Sequence, residues 1–104
     1  MTTSRLAMLA LALAAAVTPL SAFARTESAE LTLQQPATQN EYIIDGARWS
    51  CDGATCRSGF VDDMPALRSC KRVVAVTGAV ASFNWRGRAL NEAELAVCNT
   101  KAKA

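Results

Sequence analysis

Four cysteines in a chain of 104 residues constrain the fold more than any other feature of the sequence. In a short chain, an even number of cysteines indicates disulfides if the chain is exported, and a metal site or a redox pair if it stays in the cytosol. The destination of the chain therefore decides how the cysteines are interpreted. They are Cys51, Cys56, Cys70 and Cys98.

The start of the chain has the pattern of a cleavable signal peptide. A positive charge at Arg5 precedes an unbroken apolar run over residues 6–17. This run is shorter than the roughly 20 residues that a membrane-spanning helix needs. Small residues at Ala22 and Ala24 then form the site that a signal peptidase reads. We predict a signal peptide over residues 1–24, cleaved after Ala24, and a periplasmic or secreted product; an uncleaved anchor or a buried apolar helix is the alternative.

The composition argues against most kinds of chemistry and most partners. Beyond the signal peptide no apolar run approaches the length of a membrane span, so we expect a mature protein that does not cross the membrane. The chain has 11 basic and 9 acidic residues, too even a balance to favour nucleic acid. It has no histidine, which removes the commonest proton carrier and the usual serine triad. We expect no enzymatic activity, no cofactor and no bound metal.

Composition divides the mature chain into three parts. Residues 25–40 contain no aromatic side chain and only two separated leucines, and we predict a flexible leader, with a short strand over 31–33 as the alternative. Residues 41–98 contain all four cysteines and form the predicted domain. Residues 99–104 are predicted to be a polar, solvated tail.

The first part of the predicted domain has the pattern of a β-meander. Residues 42–44 and 47–51 favour strands, and they flank an Asp-Gly pair at 45–46 that is typical of a two-residue hairpin turn. A second Asp-Gly pair follows at 52–53. Because a sheet of two or three strands is not stable alone, it needs a helix packed over it.

A helix and a further strand follow the meander. Pro65 suits the first turn of a helix that continues to about Thr77 and ends at Gly78. The β-branched residues within 73–76 leave a strand there as the alternative. Alternating side chains over residues 80–85 predict a half-buried strand.

The clearest local signal is a helix start near the end of the chain. The side chain of Asn91 can accept a hydrogen bond from a first-turn N–H, and Glu94 can return one to the cap. A helix over residues 92–98 follows. The fold class is therefore α+β in the order ββαβα, with two short helices packed on one face of a small antiparallel or mixed sheet.

In an exported chain the four cysteines predict two disulfides. A four-cysteine zinc site and a thiol redox enzyme are the alternatives, although the cysteines of this chain lack the spacing that is usual in either kind of site. We prefer the pairs Cys51–Cys56 and Cys70–Cys98, and the other two connectivities stay open. One point argues against the first pair. A two-residue turn at 52–53 would place Cys51 opposite Ala54, leaving Cys56 about 7–8 Å away on the diagonal.

These residues also form a longer pattern. Residues 42–99 resemble a family of short exported bacterial proteins of unknown function. The resemblance implies a signal peptide and a small four-cysteine domain, and it implies no activity. Members of that family often have Ser-Arg before the proline, where this chain has Asp63-Met64. The residues that carry the resemblance are Trp49-x-Cys51-x-Gly53-x-x-Cys56, Pro65 before Cys70, Gly78-x-Val80 with Phe83, Gly87-x-x-Leu90, and Leu95-x-x-Cys98-Asn99.

One aromatic and basic cluster is the candidate partner surface. Trp85, Arg86 and Arg88 would form it if the tryptophan is exposed; otherwise Trp49, Phe83 and Trp85 are core or sheet residues. We predict an exported, non-enzymatic binding or interaction module of the cell envelope, whose partner is an envelope protein or a glycan. A small thiol-redox or zinc-binding protein that uses the four cysteines is the alternative, and an inhibitor of an exported enzyme is a third hypothesis.

Overall fold

The computed structural model describes residues 27–104, so the predicted signal peptide over residues 1–24 lies outside the described residues. Within the described part, four strands precede the first helix, and two further strands lie between the first helix and the second. The strands are β1 (Ala29–Leu33), β2 (Glu41–Ile44), β3 (Ala47–Asp52), β4 (Thr55–Ser58), β5 (Val80–Trp85) and β6 (Arg88–Ala89), and the helices are α1 (Ala66–Thr77) and α2 (Glu92–Asn99).

The six strands form one antiparallel sheet in the order β2-β3-β4-β1-β5-β6. Helix α1 contacts β2 and β5, and α2 contacts β5 and α1. The opposite face of the sheet is polar, with the ion pairs Glu41–Arg48 and Glu30–Arg57 across neighbouring strands. The α+β class is confirmed, and the predicted order holds in outline, with three strands added to it: β1 before the meander, β4 at the end of the meander and β6 after β5.

Strand β1 corrects the predicted leader. Residues 29–33 pair with β4 on one side and with β5 on the other, so the segment lies in the middle of the sheet. Ala29, Leu31 and Leu33 are buried in the core, and Leu31 has no exposed surface. A flexible leader over 25–40 is therefore wrong for this segment, and the strand alternative is closer. The apolar residues repeat every second position, a period that a count of apolar residues does not detect.

Two hairpin turns differ in how well they were predicted. The turn at Asp45-Gly46 connects β2 to β3, and both residues have positive φ, 50° and 84°, as a two-residue hairpin turn of this kind requires. The next turn lies one residue later than predicted, because Asp52 pairs with Thr55 and Gly53 begins the loop with φ of 67°.

Both helices follow their end signals. Helix α1 begins after Pro65 and ends at Gly78. The φ of Gly78 is 104°, a backbone conformation that glycine adopts more readily than other amino acids do. Its β-branched run stays helical because Val73 and Val74 are buried against the sheet, and packing outweighs their modest helix propensity. Helix α2 begins with the predicted capping box between Asn91 and Glu94.

The end of the chain is anchored more firmly than a solvated tail. The carboxamide of Asn99 accepts a hydrogen bond from the Val80 N–H and donates one to the Val80 carbonyl, each at 2.9 Å. The Lys103 N–H donates to the Val74 carbonyl at the end of α1, also at 2.9 Å. The side chains of Lys101 and Lys103 are exposed, as expected for a polar tail, while these hydrogen bonds hold the backbone against β5 and α1.

Candidate functional site

The cysteines form two disulfides, Cys51–Cys56 and Cys70–Cys98. These are the pairs preferred from the sequence, and the described residues contain no free cysteine. The later turn removes the objection to the first pair, since Cys51 lies directly opposite Cys56 with Cα atoms 4.0 Å apart. In this oxidised state the four sulfurs supply no thiolate to a metal or a substrate.

The predicted partner surface around Trp85 is wrong. Trp85 is 7% exposed and stacks on Phe83, with ring centroids 5.8 Å apart, and on Trp49 at 6.4 Å. The strand places Trp85 on the face that the helices cover, so its ring is part of the core and not of the surface.

The two arginines of that predicted surface also have partners. Arg86 lies in the β5–β6 turn with φ of 52°, and its guanidinium donates a hydrogen bond to the Val61 carbonyl at 2.8 Å. Arg88 forms an ion pair with Glu94 at 2.6 Å. Both arginine side chains interact with other residues of the domain, and they do not form an aromatic and basic patch with Trp85.

An open groove lies between the edge strand β2 and helix α1. Its volume is about 550 Å³, and it combines exposed aliphatic side chains with cationic ones. Strand β2 supplies Ile43, Ile44 and, at the turn, Asp45; α1 supplies Lys71, Arg72, Ala75 and Val76; the tail supplies Lys101. We call this set the β2–α1 groove.

Part of the apolar lining of the β2–α1 groove is exposed. Ile43 is 64% exposed and Val76 is 38% exposed, although the core of the same domain buries residues of the same type. Single exposed aliphatic residues are common on protein surfaces. Here two of them border one concave surface, which is the arrangement that binding sites favour.

The charges of the groove are unbalanced. Arg72 donates two hydrogen bonds to the Asp45 carboxylate, at 2.6 and 2.7 Å. These bonds lower the pKa of Asp45 below its ordinary value and raise that of Arg72. Lys71 and Lys101 have no salt bridge among residues 27–104. With one pair neutralised, the groove presents two further positive charges.

The backbone of β2 is also unpaired along the groove. In the antiparallel ladder with β3, the Cys51 N–H donates to the Asn40 carbonyl, so Asn40 belongs to a hydrogen-bonded pair. Hydrogen-bonded pairs alternate with non-hydrogen-bonded pairs along a ladder. The backbone N–H and C=O groups of Tyr42 and Ile44 therefore also point towards β3. The N–H and C=O groups of Glu41 and Ile43 point away from the sheet. No other strand of the described chain lies on that side.

The sequence predicts the two elements that border the groove, but not the groove itself. Residues 42–44 were predicted as a strand and 65–77 as a helix, but neither pattern shows which strand lies at the edge. The edge position of β2 depends on the order of all six strands, and the pairing of β1 with β4 and β5 was not predicted from the sequence.

The described residues contain no cluster of metal-ligating side chains, and none of their helices has the length and apolarity of a membrane span.

A family model described as a family of unknown function, DUF8200, matches residues 8–100. This chain belongs to that family. The resemblance to a family of unknown function is confirmed at that level. No curated protein and no solved structure matches the chain.

Proposed function

We propose that this protein is an exported, non-enzymatic binding module of the cell envelope, and that the β2–α1 groove holds an acidic, extended segment of another exported protein. The observation that carries the proposal is the joint presence of exposed Ile43 and Val76 with unpaired Lys71 and Lys101 around one groove. Aliphatic surface supplies affinity, and the unbalanced positive charge selects an acidic partner.

Export is supported by two independent features. The first is the predicted signal peptide over residues 1–24. The second is the pair of disulfides, which are typical of proteins in oxidising compartments. A non-catalytic role is supported by the absence of histidine from the chain and by the use of all four cysteines as cross-links.

The test compares charge reversals inside and outside the groove. Lys71→Glu with Lys101→Glu removes the unpaired charges of the groove. Arg68→Glu with Lys103→Glu is a matched control, because it makes the same change in net charge on the same helix and tail without altering a residue that lines the groove. Oxidised protein of each kind is incubated with envelope extract, and each retained protein is purified and its Kd measured.

We expect a partner that the wild type and the control bind alike, and that the groove variant binds at least about tenfold more weakly. The wild-type affinity should also fall as salt is added, because exposed charges are screened. Equal binding by both variants would contradict the proposal, and so would retention of an anionic glycan with no protein partner.

A further inference from the structure

We infer that the partner segment binds as an additional β-strand on the free edge of β2, antiparallel to it like every other pair of the sheet, and not merely through side chains. The inference rests on the proposed function and specifies how the groove recognises its ligand. Addition of a strand to a sheet edge is a recurring mode of peptide recognition, in which main-chain hydrogen bonds supply affinity and alternate side chains supply specificity.

The first support is the state of the two sheet edges. At one end β6 has two residues, Arg88 and Ala89, and offers little backbone to a partner. At the other end β2 has four residues, with the outward N–H and C=O groups of Glu41 and Ile43 available. Natural edge strands are commonly protected by proline, lysine or a bulge. Strand β2 contains no proline, lysine or bulge, and Glu41 is its one charged residue.

The second support is the position of α1 beside that edge. A strand added to β2 would lie along the groove, with one set of alternate side chains towards α1 and the tail and the other set beside Ile43. Lys71 and Lys101 on the first side favour carboxylates, whereas Ile43 on the second side favours a β-branched side chain. The ligand pattern that fits is therefore an alternation of acidic and β-branched residues.

The same charges argue against a second copy of this chain as the occupant. Two copies paired through β2 would bring Lys71 and Lys101 of each groove towards the same cations of the other. Because like charges at a close interface are unfavourable, the groove selects against itself and for an acidic strand.

The test uses a blocked synthetic peptide of alternating glutamate and valine as the probe. Two further versions carry N-methyl groups on every second amide, in one phase or the other, so that each phase blocks the amides of one edge of the peptide. If the peptide adds to β2, one phase should bind like the parent and the other should lose at least about tenfold in affinity. Amide exchange at Ile43 and Glu41 of the wild-type protein should slow by about tenfold in the complex.

Two substitutions separate the backbone from the side chain. Ile43→Pro removes an N–H that makes no bond to β3, so the ladder of the sheet is retained while the edge donor is lost. Ile43→Ala keeps the N–H and removes most of the side chain. We expect the proline variant to bind the peptide much more weakly than the alanine variant. If the proline variant does not fold, amide exchange in the wild-type protein shows whether the peptide binds as a strand on β2.

The outcomes distinguish the inference from the proposed function. Binding that depends on Lys71 and Lys101 but is equal for both methylation phases, with no slowing of exchange at Ile43, would overturn strand addition and leave the groove as a binding site. No binding of the peptide at millimolar concentration would overturn both.

Discussion

Trp85 is the centre of an aromatic stack in the core, between Phe83 and Trp49. Its burial predicts that substitution affects stability first and binding only through stability. Trp85→Ala should lower the free energy of unfolding by about 3–5 kcal/mol, the usual result of removing a large buried side chain.

Denaturant unfolding of the oxidised protein measures this change. Ile43→Ala, a substitution of an exposed residue, is the control and should change the free energy of unfolding by less than about 0.5 kcal/mol. A stable Trp85→Ala variant with lost envelope binding would mean that Trp85 is a surface contact after all.

Glu94 makes the start of α2 sensitive to acid. Its carboxylate accepts a hydrogen bond from the Asn91 N–H at 3.0 Å, and this bond, followed by that from Arg88, lowers the pKa of Glu94 below its ordinary value of 4.5. A carboxyl whose pKa is lower when folded stabilises the fold above its unfolded pKa, and it loses that contribution as the pH falls through the folded value.

We therefore expect the first turn of α2 to lose protection from amide exchange below about pH 4, whereas Glu94→Gln should show no such step. The NMR titration of the Glu94 carboxyl should have its midpoint below 4.5. A midpoint at or above that value would show that the capping box does not form in solution.

At the scale of single elements, β1 is the most informative strand. Leu31 has no exposed surface and lies between β4 and β5. Leu31→Ala should lower the free energy of unfolding by about 2–5 kcal/mol. Thr32→Ala, one position along and on the opposite face, should have a much smaller effect. Similar effects for the two variants would support a leader that does not pair with the sheet.

Most elements could be predicted because their signals are local. A cap at Asn91, a proline at Pro65 and a glycine at Gly78 fix helix ends through contacts with neighbouring residues in the chain. Strand β1 depends instead on pairing with β4 and β5, which are distant in sequence. The β2–α1 groove could not be predicted for the same reason, since its existence requires knowing that β2 is an edge.

At the scale of the whole molecule, the two disulfides differ in the length of chain that they close. Cys70–Cys98 joins α1 to α2 across 28 residues, whereas Cys51–Cys56 spans 5. If the entropy of the unfolded chain dominates, the long link stabilises the fold by about 3–4 kcal/mol and the short one by about 2.

Replacing both cysteines of one pair by serine tests this difference. Loss of Cys70–Cys98 should lower the midpoint of urea unfolding more than loss of Cys51–Cys56 does. The reverse order would show that the β3–β4 hairpin, and not the contact between the helices, limits stability.

The central claim is that this domain binds through the groove between β2 and α1. The most direct measurement is a residue-by-residue map of amide shifts and exchange rates in the oxidised wild-type protein, free and with the partner obtained from envelope extract. The account predicts changes concentrated at Ile43, Lys71, Val76 and Lys101. Changes concentrated instead in the middle of the outer face of the sheet, around Glu30 and Arg57, would contradict it.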